Sequence, residues 1–332
     1  MPDTPKQQRY WKLVLRQFRR NRMAVAGAIV LFLLFGVAFF APILAGEVPI
    51  HLVKDGKTYW LPNVVTYKDL VDVQFDRWKP GLSDRAAWPL IRYAPERSDL
   101  IARLTGPNRD HLLGTDDRGR DVLSRMIWGT RISMSVGFIA VGISIVIGVI
   151  AGALAGFYRG RTDMVFLRIV ETVLCFPDLI LILALIAYVG RSIWIIMLVI
   201  GVIRSPDLAR LVRGEFLRLR ESDFAVAARA TGLRDMRIMF RHILPNALGP
   251  VLVNATFGVA GAILVETSLS FLGLGVPPPT ASWGEILSQS KNYVEFAWWL
   301  VTFPGAAIFI TVTAFNLVGE GLRDAMDPRL RQ

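Results

Sequence analysis

Residues Met23–Leu44 read MAVAGAIVLFLLFGVAFFAPIL, without one charged side chain. At 1.5 Å rise per residue such a helix is about 33 Å long, enough to cross a hydrocarbon core about 30 Å thick. Each central Leu, Ile, Phe or Val favours insertion by roughly 0.3–0.6 kcal/mol, so the stretch predicts a transmembrane helix. Its apolar core exceeds the roughly 7–15 residues of a secretory signal. Pro42-Ile43-Leu44-Ala45 is also a poor small-residue cleavage site, so the stretch reads as an uncleaved span.

The rest of the chain agrees with that reading. Of 332 residues, 53% are hydrophobic and only 20% charged, with a mean hydropathy of +0.44. Such values exclude a disordered chain and argue against an ordinary soluble enzyme, which must cover its surface with more polar groups. Lys and Arg number 38 against 27 Asp and Glu, a net charge of +11. The basic excess flanks the apolar runs, which points to membrane lipid and to no nucleic acid. The single cysteine, Cys175, permits no intrachain disulfide and no cysteine zinc cluster.

Further spans are expected at about Ile132–Phe157, Ile169–Val189 with Pro177 as a kink, Ile193–Leu211, Ala247–Leu269 and Phe296–Val318, giving an all-α membrane protein of six transmembrane helices. In the second span Gly148, Gly152 and Gly156 recur every fourth residue and predict a bare packing stripe, whose partner the pattern does not name. Lys6, Arg9, Lys12, Arg16, Arg19, Arg20 and Arg22 stand before the first span and put the N-terminus in the cytoplasm. The expected organisation is a cytoplasmic basic N-terminus (1–22), a first helix (23–44), an extracytoplasmic segment (45–131), a five-helix core (132–318) with a cytoplasmic loop (212–246), and a cytoplasmic tail (319–332) carrying Arg323, Arg329 and Arg331. Within the outer segment Thr58-Tyr59-Trp60-Leu61 reads either as strand or as loop.

The inner loop is the most informative polar segment. Ser222 or Asp223 is a candidate N-cap for a short alanine-rich helix, Phe224–Thr231, and Gly232 is suited to end it with a positive φ. Leu233, Met236, Met239, Phe240 and Ile243 then fall on one side of a second amphipathic stretch, stopped by Pro245. A small-faced helix of this kind suits insertion into another protein's groove, and equally suits a plain connector lying on the membrane.

The stretches Ala227-Ala228-Arg229-Ala230-Thr231-Gly232 and Arg237-Ile238-Met239-Phe240-Arg241-His242-Ile243-Leu244-Pro245-Asn246-Ala247 resemble the cytoplasmic EAA loop of ABC importer permeases. Four more blocks support the likeness: Phe18-Arg19-Arg20-Asn21-Arg22; His111–Asp116 with Gly119–Arg125; Ser268–Gly275; and Gly321–Ala325 with Asp327–Arg331. With them the chain is similar to the C-type permease subunits of oligopeptide and dipeptide ABC importers. Val226 stands where the motif commonly has Glu, and Ser205 where many relatives have Trp.

The resemblance implies a type I ABC importer permease with an extracytoplasmic insertion between helices 1 and 2, translocating peptides and itself no enzyme. It implies a homologous second permease, an extracytoplasmic peptide-binding protein, and two ABC ATPases that carry the ATP and Mg, with no cofactor, metal or catalytic residue on this chain. The ATPase-docking residues would be Asp223, Ala227, Ala228, Arg229, Gly232, Leu244 and Pro245, with Ala227, Ala228 and Gly232 forming the seat. Related importers carry nickel or other small solutes, which stays as an alternative cargo.

Intramembrane ionisable residues were read separately, since each is costly near a helix centre. Glu171 has Arg168 three residues before it, a local ion pair; Asp178 follows Pro177 and is placed to satisfy backbone groups opened by the kink. Glu266 either lines the translocation path, with Asn254 and Ser268, or bonds a partner permease. A rival class, an ion-coupled secondary carrier, would use Asp178 and Glu266 as proton sites. Gly56-Lys57-Thr58 has the ending of a phosphate-binding loop but lacks its first glycine, which would fall at His51, and a strand-to-helix frame. The histidines His51, His111 and His242 fall on opposite sides of the membrane in this topology and form no joint metal site.

Overall fold

A computed structural model describes residues 5–73, 75, 78 and 84–326, with side chains described from Lys12 onward. The side chains of Lys6 and Arg9, and the expected tail residues 327–332 with Arg329 and Arg331, lie outside the described residues. The chain is mainly helical. It runs α1 (Pro5–Arg20), α2 (Arg22–Leu44), three short strands β1 (His51–Lys54), β2 (Lys57–Trp60) and β3 (Arg85–Ala87), then α3 (Val122–Tyr158), α4 (Gly160–Leu174), α5 (Asp178–Val189), α6 (Ile193–Leu219) and α7 (Asp223–Ala230). A single turn α8 (Asp235–Arg237) and a π-helical stretch, Ile238–Ile243, lead into α9 (Leu244–Phe271), followed by α10 (Trp283–Gln289) and α11 (Trp299–Met326).

By length and composition, four continuous helices could cross a membrane: α2, α3, the run Asp235–Phe271, and α11. The expected third span departs from a kinked helix. α4 and α5 are separated by a bend of 84°, so together they form one broken span or a re-entrant segment. Pro177 cannot donate the hydrogen bond that would continue α4, and Asp178 then restarts the chain as a new helix, its Oδ1 accepting from the Leu179 N–H at 2.9 Å. The role expected of Asp178 is thus what the geometry shows. Cys175, exposed, lies in this break. α6, expected as the fourth span, is long enough, but Arg204, Asp207 and Arg210 interrupt its apolar stretch. Arg168 and Glu171 make the expected local pair at 3.6 Å on α4.

The chain forms two compact units, one of residues 1–31, 136–265 and 310–332, the other of 32–135 and 266–309. In the first, the glycine stripe of α3 meets α6. A Cβ added at Gly148 would stand 3.0 Å from Leu208 Cβ, and one at Gly156 would stand 2.7 Å from both Phe216 Cβ and the Arg213 carbonyl; Gly152 faces the Ala209 carbonyl in the same way. α6 returns the favour with Gly201, whose Cβ would be 2.6 Å from the Ala140 carbonyl. Bare faces on both helices let the backbones approach, which is what drives packing where water gives no hydrophobic push.

In the second unit, β1 pairs antiparallel with both β2 and β3, in the order β2-β1-β3. Asp55 (φ 49°) and Gly56 (φ 74°) form the two-residue turn between β1 and β2, so the stretch resembling a phosphate loop is a hairpin. Lys57 there pairs with Asp69 at 2.9 Å. Leu52, Tyr59, Leu70 and Phe75 make the small core beneath the sheet, with Trp88 packed against it.

The block His111–Arg125 builds a clasp at the start of α3. Asp116 accepts the Arg118 and Arg120 N–H groups, both at 2.9 Å, and the Arg120 Nε at 2.7 Å. Asp121 caps α3 by accepting from the Ser124 N–H at 2.7 Å, and its other oxygen meets His111 Nδ1 at 2.9 Å. Arg125 is completely buried between Asp116, at 3.4 Å, and Glu285 of α10, which it contacts closely. Ser282 caps α10 through the Glu285 N–H at 3.1 Å.

Candidate docking site on the loop between α6 and α9

The loop leaves α6 through Arg220, whose Nη1 donates to the Phe157 carbonyl at 2.6 Å, near the C-terminal end of α3. That bond satisfies one of the carbonyls a helix end leaves open, with a cation where the helix dipole favours one. Burial, helped by the nearby Arg159 and Arg229 charges, pulls the Arg220 guanidinium below its usual range. Ser222 stands at the N-cap of α7, but its hydroxyl turns back to the Leu219 carbonyl at 2.5 Å, so it finishes α6 and leaves α7 without a side-chain cap.

α7 ends as its sequence predicts. The Gly232 N–H bonds the Arg229 carbonyl at 2.9 Å, the Leu233 N–H reaches the Ala228 carbonyl at 3.3 Å, and Gly232 has φ +74°. This is the Schellman arrangement, and the left-handed residue within it is the one place in the loop that favours glycine.

What α7 rests on is an apolar core supplied by its own chain: Ala153 and Phe157 of α3, Phe216 and Leu219 of α6, Ile238, Met239 and Ile243 of the π-helical stretch, and Ala247 of α9. Ala225 and Ala228 close this core from the α7 side. The expected docking set is therefore divided. Ala228, 7% exposed, faces inward and is not presented to another protein. Asp223, Ala227 and Gly232 face outward, joined by Val226 at 50% exposure, which brings an apolar side chain to the position where the motif commonly has Glu. Arg229 is half-buried, its guanidinium 5.3 Å from the centre of the Phe157 ring. Leu244 packs on the core at the start of α9, and Pro245 beside it is half-buried.

The second amphipathic stretch turns differently from its sequence expectation. A π-helical turn holds more than four residues, so Ile238 and Ile243, five apart, share the buried face with Met239. Met236 and Phe240, assigned inward by an α-helical period, are 55% and 37% exposed.

The expected path residues are placed apart. Asn254 lines a cavity of about 230 Å³ in the first unit, with Ser144, Arg204, Asp207 and Gly258. Glu266 is fully buried in the chain and so open to no path, and one carboxylate oxygen accepts from Ser270 Oγ at 2.7 Å and Ser282 Oγ at 2.9 Å. Its place is to tie α9 to the loop before α10. Ser268 is half-buried beside Thr267, Phe271 and Leu287. Arg204 and Asp207 are the charged residues that line the cavity beside Asn254; the signal for them is an Arg and an Asp three residues apart, following eleven uncharged residues of α6.

Several helices long and apolar enough to cross a membrane, with a short helix seated in the loop before one of them, are the build of a membrane protein. The comparisons give its family. The model of binding-protein-dependent transport system inner membrane components matches residues 144–332, and that of the N-terminal transmembrane domain of oligopeptide transport permease C matches residues 9–54. The chain belongs to the family of binding-protein-dependent transport system inner membrane components. It is 35% identical to the dipeptide transport system permease protein DppC of Alkalihalophilus pseudofirmus and 33% identical to the oligopeptide transport system permease protein OppC of Bacillus subtilis, each over 97% of this chain and 90% of the relative. A solved structure of the MetNI methionine ABC transporter in an inward-facing form matches 62% of this chain and 97% of its own, with a TM-score of 0.51 at 21% identity, and so shares the fold. The protein is a permease subunit and a multi-pass membrane protein.

Proposed function

We propose that this chain is one half of a heterodimeric pore that moves short peptides inward, powered by two ATPases that bind ATP and Mg and dock on α7. The observation that carries the reading is the construction of α7: Ala225 and Ala228 seat it on a buried core while Asp223, Val226, Ala227 and Gly232 stay outward. A helix held this way transmits force, because an interior packed at crystal-like density yields little. The excess of Arg and Lys in α1 and in the loop supports an inward orientation for both, with the β-sheet unit outside to receive a peptide-binding protein. The peptide cargo is carried over from the names of the relatives.

The test is uptake of trialanine into vesicles holding the complete purified complex and its binding protein. Uptake should require ATP on the ATPase side, and a cysteine at Ala227 should cross-link to an ATPase subunit while one at Ala228 should not. Uptake driven by an ion gradient without ATP, or by this chain alone, overturns the reading.

A further inference from the structure

Two ion pairs join the broken α4–α5 segment to α6, and they are built differently. Arg213 grips Asp163 with two nitrogens, its Nη2 2.7 Å from Oδ2, the forked geometry of a permanent tie. Arg204 reaches Asp178 through a single contact of 3.4 Å, and both stay open, the side chain of Arg204 at 32% and that of Asp178 at 52% exposure. Arg204 also lines the 230 Å³ cavity shared with Ser144 and Asn254. Its guanidinium lies against α9 at Gly261, where any side chain would strike it.

Depth distinguishes this pair as well. Asp178 opens α5 twelve residues before Gly190, and Arg204 lies eleven residues into α6. At 1.5 Å per residue both are about 16–18 Å from the turn at residues 190–192 that joins the two helices, close to the middle of a hydrocarbon core about 30 Å thick. Charges at that depth are costly and mark pathways where they face a polar cavity, as Arg204 does here with Asp178 paired beside it.

We infer that Asp178 and Arg204 form a mid-membrane station for a zwitterionic peptide, Asp178 receiving its ammonium group and Arg204 its terminal carboxylate. The inference rests on the peptide-import reading above. In the empty station the two side chains hold each other loosely; a passing peptide separates them and takes both places, so no buried charge is left unpaired at any stage. Gly261 keeps α9 bare where the guanidinium must move. Ser144 and Asn254 supply neutral partners for the peptide's amide groups.

The test compares Asp178→Asn, Arg204→Gln and the double variant in assembled complexes, by initial rate of trialanine uptake at saturating binding protein and ATP. Each single substitution should slow uptake about tenfold and the double about a hundredfold. Recovery of the double variant to near the original rate would show a pair that serves only to balance itself, and the inference fails; it fails equally if neither single substitution slows uptake. Should the charge variants not assemble, Gly261→Ala keeps both charges and displaces the guanidinium. It should slow uptake at least threefold, and an unchanged rate overturns the inference. Failure of the unaltered complex to move trialanine at all would instead overturn the peptide reading.

Discussion

The clasp at the start of α3 and the seat under α7 are both motif blocks, and they are held by opposite means. The clasp buries charge: Arg120 and Arg125 lie between Asp116 and Glu285, beside a small apolar cluster of Val122, Ile286 and Trp299. The seat buries alanine, isoleucine and phenylalanine, and keeps its arginines at the rim, on the Phe157 carbonyl and ring. Buried ion pairs demand one geometry and punish the loss of either partner, whereas an apolar seat is held by shape and volume and yields only when a side chain is added or removed. One frame is fixed by charge and the other by close packing.

The contrast can be broken most severely at Arg125. Arg125→Met strands the Glu285 and Asp116 carboxylates in the interior and should cost about 3–5 kcal/mol, seen as loss of the chain from the membrane fraction. Adding Glu285→Leu should restore part of the yield, since removing both charges relieves most of the penalty. If Arg125→Met accumulates normally, the clasp is not the rigid frame described.

Smaller effects follow on the seat side. Gly156→Leu must push Phe216 and the Arg213 backbone off α3; overpacking of this kind costs about 1–3 kcal/mol, read as a lowered thermal midpoint of the purified complex. Gly232→Val places a branched side chain at φ +74° and should cost about 1–2 kcal/mol locally. The chain should still insert and assemble, while ATP-driven uptake falls; normal uptake would remove Gly232 from the transmission of force. Ala225→Leu and Ala227→Leu sharpen the two faces of α7, the first lowering the midpoint and the second leaving it unchanged while weakening ATPase attachment. Least of all, Lys57→Met removes an exposed pair with Asp69 and should shift the midpoint by less than about a degree.

The sequence carried the helices and their stops, because these are local: the charge-free stretch of α2, the spacing of Gly148, Gly152 and Gly156, and a glycine after an alanine-rich turn. It also carried the family through ordered blocks. It did not carry which helix the glycine stripe meets, since a bare face fits many partners. Nor did it show that Arg125 is paired with Glu285, 160 residues away. Within the loop, the π-helical turn put Ile238 in the core with Ile243 and left Phe240 exposed, and Met236, which precedes that turn, is exposed as well. The two serines on Glu266 were not legible either, because an acidic residue deep in an apolar helix signals a pathway or a partner equally well as bonds to Ser270 and to Ser282, sixteen residues away.

The break between α4 and α5 has a practical outcome. Its Cys175 is exposed and is the one cysteine of the sequence, so a spin label or fluorophore attached there needs no engineered background. The native thiol thus reports, in real time and in an unmutated chain, whether the elbow straightens or folds further as the transport cycle runs.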